Sequence, residues 1–205
     1  MIAGEAALSN WDAGMDMYIY GKLGNLIMTK EGINVLMTNL TGKVPPILQR
    51  LDYIRFNGEA AGYLHDLTLT GLFYTGAGMV KTDVMMSIDE QSMSRTYSGS
   101  VASADLDLGK LLNQEKKFGK VDFNVELKGF NYKNRYPESY IKGIISSFEY
   151  SQYQYENIML DGVYKDGGFT GRLAMVDEIG SGQIDGNINV AKTIPDFNLK
   201  ASVKN

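Results

Sequence analysis

The chain has 205 residues, and what it lacks narrows the field first: no Cys, 4 Pro and 1 His. Without cysteine there are no disulfides and no thiolate metal ligands, which leaves the compartment undecided. So few prolines argue against a disordered linker. Lys and Arg total 20 against 24 Asp and Glu, a net charge of −4, and the charges are interspersed. With no basic run, the electrostatic footprint of a nucleic-acid binder is missing. No apolar run reaches the roughly 20 residues that a membrane-crossing helix needs. The start, Met1 to Leu8, lacks the basic region of a secretory leader. Two explanations fit: a cytoplasmic protein, or an internal segment of a longer protein whose targeting segment lies elsewhere. The chain stops at Asn205 without a capping signal, which favours the second.

What is abundant is strand material. Gly is 23, Tyr 13 and Phe 8; aromatic side chains pack well on a pleated surface. The dominant pattern has period 2. Phe123, Val125 and Leu127 alternate with Asp122, Asn124, Glu126 and Lys128. Phe197, Leu199, Ala201 and Val203 alternate with Asn198, Lys200, Ser202 and Lys204. Leu67 and Leu69 alternate with Thr68 and Thr70, while Ile184, Ile188 and Val190 share a face opposite Asp185, Asn187 and Asn189. One apolar and one polar face predict a mostly antiparallel sheet.

A degenerate repeat of apolar, polar, apolar, polar, Gly runs through Ile54–Gly58, Leu67–Gly71 and Ile158–Gly162, with weaker copies at Phe169–Gly171 and Gln183–Gly186. Glycine there marks a bulge, a bend or a close backbone approach. The irregular spacing predicts a meander of similar hairpins, not a fixed-period solenoid. Asp166-Gly167 carries a two-residue turn signal, and Gly76–Gly78 and Gly180–Gly182 are further turn candidates. Two short helical turns are expected, over 45–51 and over 107–113, the second capped by Asp107. Residues 113–119, with Lys116 and Lys117, are expected to be an exposed loop. No domain boundary is visible. Residues 1–50, with Trp11, are the least regular part.

Little here points to chemistry, and the chain is expected not to be an enzyme. His65 has Asp66 beside it, but adjacent strand residues face opposite ways, so that pair cannot build a Ser-His-Asp triad; a surface or turn histidine is expected. Asp105-x-Asp107-x-Gly109 resembles a calcium loop only until its twelfth position, which is Lys116 rather than Glu; the helix-cap reading is better. Gly76-x-Gly78 lacks the third glycine and the helix of a phosphate cradle. Asn39-Leu-Thr41 is a formal glycosylation sequon without expected meaning. Tyr150, Tyr153 and Tyr155 are either a stacking platform or a cross-strand cluster. The methionines, Met85 and Met86 among them, are either core filling or an adaptable apolar lining. The acidic residues sit on the polar face of the strands, where paired catalytic carboxylates are not expected. No cofactor and no metal site are expected.

The blocks from Asp52 to Gly71, Val80 to Asp83, Tyr97 to Ser100, Asp105 to Leu112, Gly119 to Asn124, Ser147 to Tyr150, Tyr155 to Gly162 and Pro195 to Ala201 resemble, in that order, the TamB-like translocation and assembly module proteins of Bacteroidetes-type bacteria, within the AsmA superfamily. The resemblance runs through residues 52–205. It implies a single β-rich segment, 1–205, of a periplasm-spanning envelope protein anchored in the inner membrane. Its fold would be all-β: an elongated, curved, mostly antiparallel sheet forming an apolar groove. Its function would be outer-membrane biogenesis, through phospholipid transport along the groove and outer-membrane protein assembly. Its partners would be phospholipid acyl chains and the outer-membrane assembly machinery, and its sheet edges would offer a route to self-association. Leu67, Leu69, Phe123, Val125, Leu127, Ile188, Val190, Phe197, Leu199 and Val203 are the candidate groove lining; an ordinary closed core is the competing use for them. A compact β-sandwich acting as an adhesion or carbohydrate-binding module, with Trp11 and tyrosines as its platform, is the alternative function. A second sheet over the apolar face would favour that alternative.

Overall fold

The structure, a computed structural model, describes residues 4–10, 16–41, 44, 46–89, 91–92, 94–131, 138–166, 168–177, 180–189 and 196–204. Its strands are β1 (Gly4–Ser9), β2 (Tyr18–Thr29), β3 (Tyr53–Tyr63), β4 (Asp66–Thr75), β5 (Gly78–Asp89), β6 (Ser94–Asp107), β7 (Phe118–Asn131), β8 (Glu138–Tyr150), β9 (Tyr153–Lys165), β10 (Gly168–Asp177), β11 (Gly180–Asn189) and β12 (Asp196–Lys204). They form one 12-stranded sheet in strict sequence order. Among the described residues every pairing is antiparallel and the sheet does not close: β1 pairs there only with β2, and β12 only with β11.

The hairpin signals fall largely where the residues placed them. Lys165 pairs with Gly168, and Asp166 between them has φ 50°, as the mirror-image turns of tight hairpins require. Thr75 pairs with Gly78 around Gly76 and Ala77. Gly180 and Gly182 are not a turn: Gly180 already pairs with Asp177 as the first residue of β11, so the reversal precedes it.

Helix is more abundant than the sequence suggested. The expected turns appear as α2 (Pro46–Gln49) and α3 (Leu108–Leu112). The Asp107 side chain caps α3 by accepting from the Lys110 N–H at 2.8 Å. The addition is α1 (Lys30–Thr41), 12 residues long. Thr29 Oγ1 accepts from the Gly32 N–H at 3.4 Å at its start. Gly32 and the β-branched Ile33, Val35 and Thr38 give this stretch poor helix propensity. Tertiary packing overrides that: Ile33 is 2% exposed, and short helices depend on such burial.

The helices gather along the margin where β2, β4 and β6 end. Ile33, Leu51, Ala77, Leu106, Leu111 and Val121 form the buried cluster there, with Met28, Met37, Leu48, Ile54, Val80, Phe123, Ile145 and Phe148 packed against it. Polar contacts fasten the margin. Arg50 donates to the Leu111 carbonyl at the end of α3. Lys110 Nζ donates to Asp52 Oδ2 and to the Gly76 carbonyl, both at 3.2 Å. The Asp107 N–H donates to the Ala77 carbonyl at 2.6 Å.

Away from this margin the apolar face is not sealed. The chain exposes 13508 Å², whereas a globular monomer of 22.7 kDa would expose about 9,500 Å². Val84, Val101, Val125, Leu127, Ile141, Leu160 and Leu173 all remain partly exposed. In a sandwich, residues at these positions would interdigitate with a second sheet and be fully buried. The described strands make one layer, and the closed-core reading holds only beneath the helices.

Candidate functional site

Alternation within strands and register between them sort the side chains into two faces. One row crosses the middle of the apolar face as Gly58, Gly71, Thr82, Val101, Val125, Gly143, Leu160, Leu173, Ile184 and Ala201. The next row on that face reads Ala60, Leu69, Val84, Gly99, Leu127, Ile141, Gly162, Gly171, Gly186 and Leu199. The repeat's glycines therefore line up side by side at mid-strand. Gly99 at φ 144° and Gly186 at φ 154° hold backbone conformations that side chains rarely tolerate. Mid-strand glycines of this kind bend strands, and register shifts at Leu23/Leu26 in β2 and Ser103/Leu106 in β6 add further bends. These are the points at which the open sheet can bend, and the two rows set glycine and alanine among valine, leucine and isoleucine.

Three aromatics lie over glycines of this face. The Phe56 ring sits 2.7 Å from where a Cβ would stand on Gly58 and on Gly71. Phe169 covers Gly162 and Gly171 in the same way, and the end of the Tyr97 ring lies 2.6 Å from the Cβ position of Gly129. Aromatic side chains laid over glycines restore the packing that glycine forfeits. Toward the helical margin, Phe118, Phe148, Tyr150, Tyr153 and Tyr155 form a continuous aromatic cluster, with Tyr153 and Tyr155 edge-to-face at 4.6 Å. The tyrosine series is thus a cross-strand cluster.

Of the lining candidates, Leu67, Leu69, Val125 and Leu127 lie on the open apolar face, half-buried. Phe123 packs beneath the helices against the core cluster. Leu199 and Val203, on the edge strand β12, are 48% and 74% exposed. The backbone pairs Ile188 with Phe169 and with Phe197. Val190 and Trp11 lie outside the described residues. His65 sits in the turn between β3 and β4, stacked on Tyr63 at 5.4 Å, with Nδ1 3.6 Å from Asp16 Oδ1. Asp105 pairs with Lys120 at 2.8 Å.

Two features escaped the sequence reading. The first is on the polar face. One residue from every strand forms a single cross-strand row: Glu5, Lys22, Glu59, Thr70, Asp83, Ser100, Glu126, Lys142, Asp161, Arg172, Asp185 and Lys200. No two like charges are neighbours in it; Thr70 and Ser100 separate the three acids that would otherwise meet. Opposite charges paired across strands stabilise, and like charges repel. Arg172 Nε donates to Asp185 Oδ1 at 2.8 Å, and Thr70 Oγ1 donates to Asp83 Oδ1 at 3.0 Å. The Arg172 hydrogen bond, with help from Gln183, holds the Asp185 carboxyl below its ordinary range. The row makes a slip of one residue costly, because that would carry every charge onto the apolar face. Two shallow depressions of about 690 and 560 Å³ lie over this row and share Glu126 and Lys142. Their charged, wide-open walls are unlike an enclosed small-molecule pocket.

The second feature is on the apolar face, at the margin opposite the helices. Arg95 there pairs with Ile88 and Asn131, so the register places its charged side chain on the face of Tyr97 and Val101. Asn131 Oδ1 is buried there without a hydrogen-bond partner, as is Thr82 Oγ1 in the middle row.

No family model, no curated protein and no solved structure matches the chain.

Proposed function

We propose that this chain is a lipid-sheltering segment of a TamB-like envelope protein, in which phospholipid acyl chains lie along the apolar trough on their way toward the outer membrane. In this reading it works in the periplasm, within a protein anchored to the inner membrane, and supports outer-membrane biogenesis without catalysing a reaction. The observation that carries it is the uncovered apolar face. One face carries the charged row with exposed Met85, Ile144, Met159 and Val176 beside it; the other carries rows of Val, Leu and Ile with glycines between them, and suits an apolar occupant. Acyl chains fit, since each buried methylene contributes about 0.8 kcal/mol without any directional contact. A flexible chain can lie in such a trough at many positions, as a conduit requires.

The test is native mass spectrometry of the purified protein, with lipid extraction in parallel. Co-purified phospholipid is expected. Leu127→Asp and Ile141→Asp, which place charge on two residues that face one another across β7 and β8, should strip it. Met159→Asp, on the polar face, should not. Protein free of lipid in its native state, or equal loss from all three variants, would overturn the reading.

A further inference from the structure

The apolar face is not uniform along its strands. Beneath the helices it is closed by the core cluster. At mid-strand it is aliphatic and glycine-lined. Toward the opposite margin, hydroxyls enter: the Tyr97 hydroxyl hydrogen-bonds Ser139 Oγ across β7, and Tyr164 pairs with Ser139. In the last row stand Ile88, Arg95 and Asn131. The exposed Arg95 side chain makes no hydrogen bond or ion pair among the described residues, and Asn131 Oδ1 is a buried acceptor without a donor. Leaving a buried acceptor unpaired costs free energy, and a guanidinium with no protein partner is free to take an anion bidentately.

We infer that Arg95 and Asn131 form a head-group site at the open margin of the trough, for a phospholipid whose head group carries both a phosphate and an N–H donor. The inference rests on the lipid-trough reading and adds a polarity to it. The acyl chains lie on the glycine-bearing floor, and the head group stays at the wet rim. Arg95, with its planar fork of donors, takes the phosphate oxygens. Asn131 Oδ1 accepts from the ammonium. A primary ammonium satisfies it; a trimethylammonium of the same charge has no N–H to give.

Three short-chain lipids of identical acyl composition separate these contributions: phosphatidylethanolamine, phosphatidylcholine and diacylglycerol, titrated into the intact chain and read by native mass spectrometry. Phosphatidylethanolamine is expected to bind roughly tenfold more tightly than diacylglycerol, as a charge-assisted hydrogen bond at a half-exposed site allows. Arg95→Gln should remove that margin and leave diacylglycerol binding and the melting temperature unchanged, while Arg95→Lys should keep part of it. Asn131→Leu should equalise phosphatidylethanolamine and phosphatidylcholine. Equal wild-type affinity for phosphatidylethanolamine and diacylglycerol, or an Arg95→Gln variant that still prefers the phospholipid, would overturn the site and leave the trough standing. Failure of all three lipids, diacylglycerol included, would remove the trough and the site together.

Discussion

The ring of Phe169 lies over Gly162 on the neighbouring strand, filling the space where a side chain would stand. The pair ties the repeat glycine of β9 to an aromatic of β10 that is paired two residues away on the same face, opposite Tyr164. The same device recurs with Phe56 over Gly58 and Gly71. These glycines are therefore packing positions. Gly162→Ala should destabilise the protein by about 1–3 kcal/mol, the usual cost of overpacking. Adding Phe169→Leu should recover part of the loss, which urea denaturation would register as a non-additive double-mutant cycle.

Glycines differ sharply in what they tolerate. Gly99→Ala would force a side chain into φ 144° and into the Asp83 and Val84 backbone, at a cost of about 1–3 kcal/mol. Gly21 has nothing within 4 Å of its Cβ position. Gly21→Ala should be close to neutral or slightly stabilising, because alanine narrows the unfolded ensemble. Thermal melts of the two variants should diverge accordingly.

The helical margin hangs on few side chains. Ile33→Ala should cost about 2–5 kcal/mol, the range for truncating a buried isoleucine. Hydrogen exchange should then rise first in α1 and α2, before the central strands, because these segments have the least other packing to hold them.

The polar-face row predicts a salt-sensitive defect. Asp161→Lys would set three cations side by side with Lys142 and Arg172, while Asp161→Asn only removes a weak pair at 3.9 Å. The charge reversal should lower the melting temperature more than the neutral substitution. The gap should shrink in molar salt, where the screening length is about 3 Å.

Stability should fall in acid. Asp185 is held below its ordinary range by the Arg172 hydrogen bond, and Glu138 by the hydrogen bond from Lys165. A carboxyl whose folded pKa is depressed contributes stability above its unfolded pKa, about 4, and that contribution is lost as pH falls through the folded value. Lys165 and Arg172 are shifted upward by the same contacts. Their contributions are present at neutral pH and are lost only above their ordinary alkaline range. Melting temperature should therefore stay flat from about pH 5 to 9 and drop below about pH 4; the drop should be smaller in Asp185→Asn.

Strands, their faces and most hairpins were legible because alternation and turn chemistry are local. Phe123, Val125 and Leu127 announce a one-sided strand within five residues, and Asp166-Gly167 announces the turn between β9 and β10. The charged row was not legible, because it is a property of register. Glu126 meets Ser100 and Lys142 only after hairpins of particular length have closed. Helix α1 was missed because Gly32 and Val35 mask the spacing of Ile33 and Met37. Thr29 and Glu31 at its start were the available signal. Arg95 was missed although parity marks it: it shares a strand face with Tyr97 and Val101, where alternation calls for an apolar residue.

Each strand of this sheet leans on the strands before and after it, and no central element needs all of them at once. Such an architecture has no natural size. A hairpin added or removed changes the span by about 10 Å and disturbs only the two neighbours at the splice, as in solenoids stabilised by adjacent contacts. If the apolar face is the conduit proposed above, its reach is set by how many hairpins are strung together, and the chemistry of the face need not change with its length.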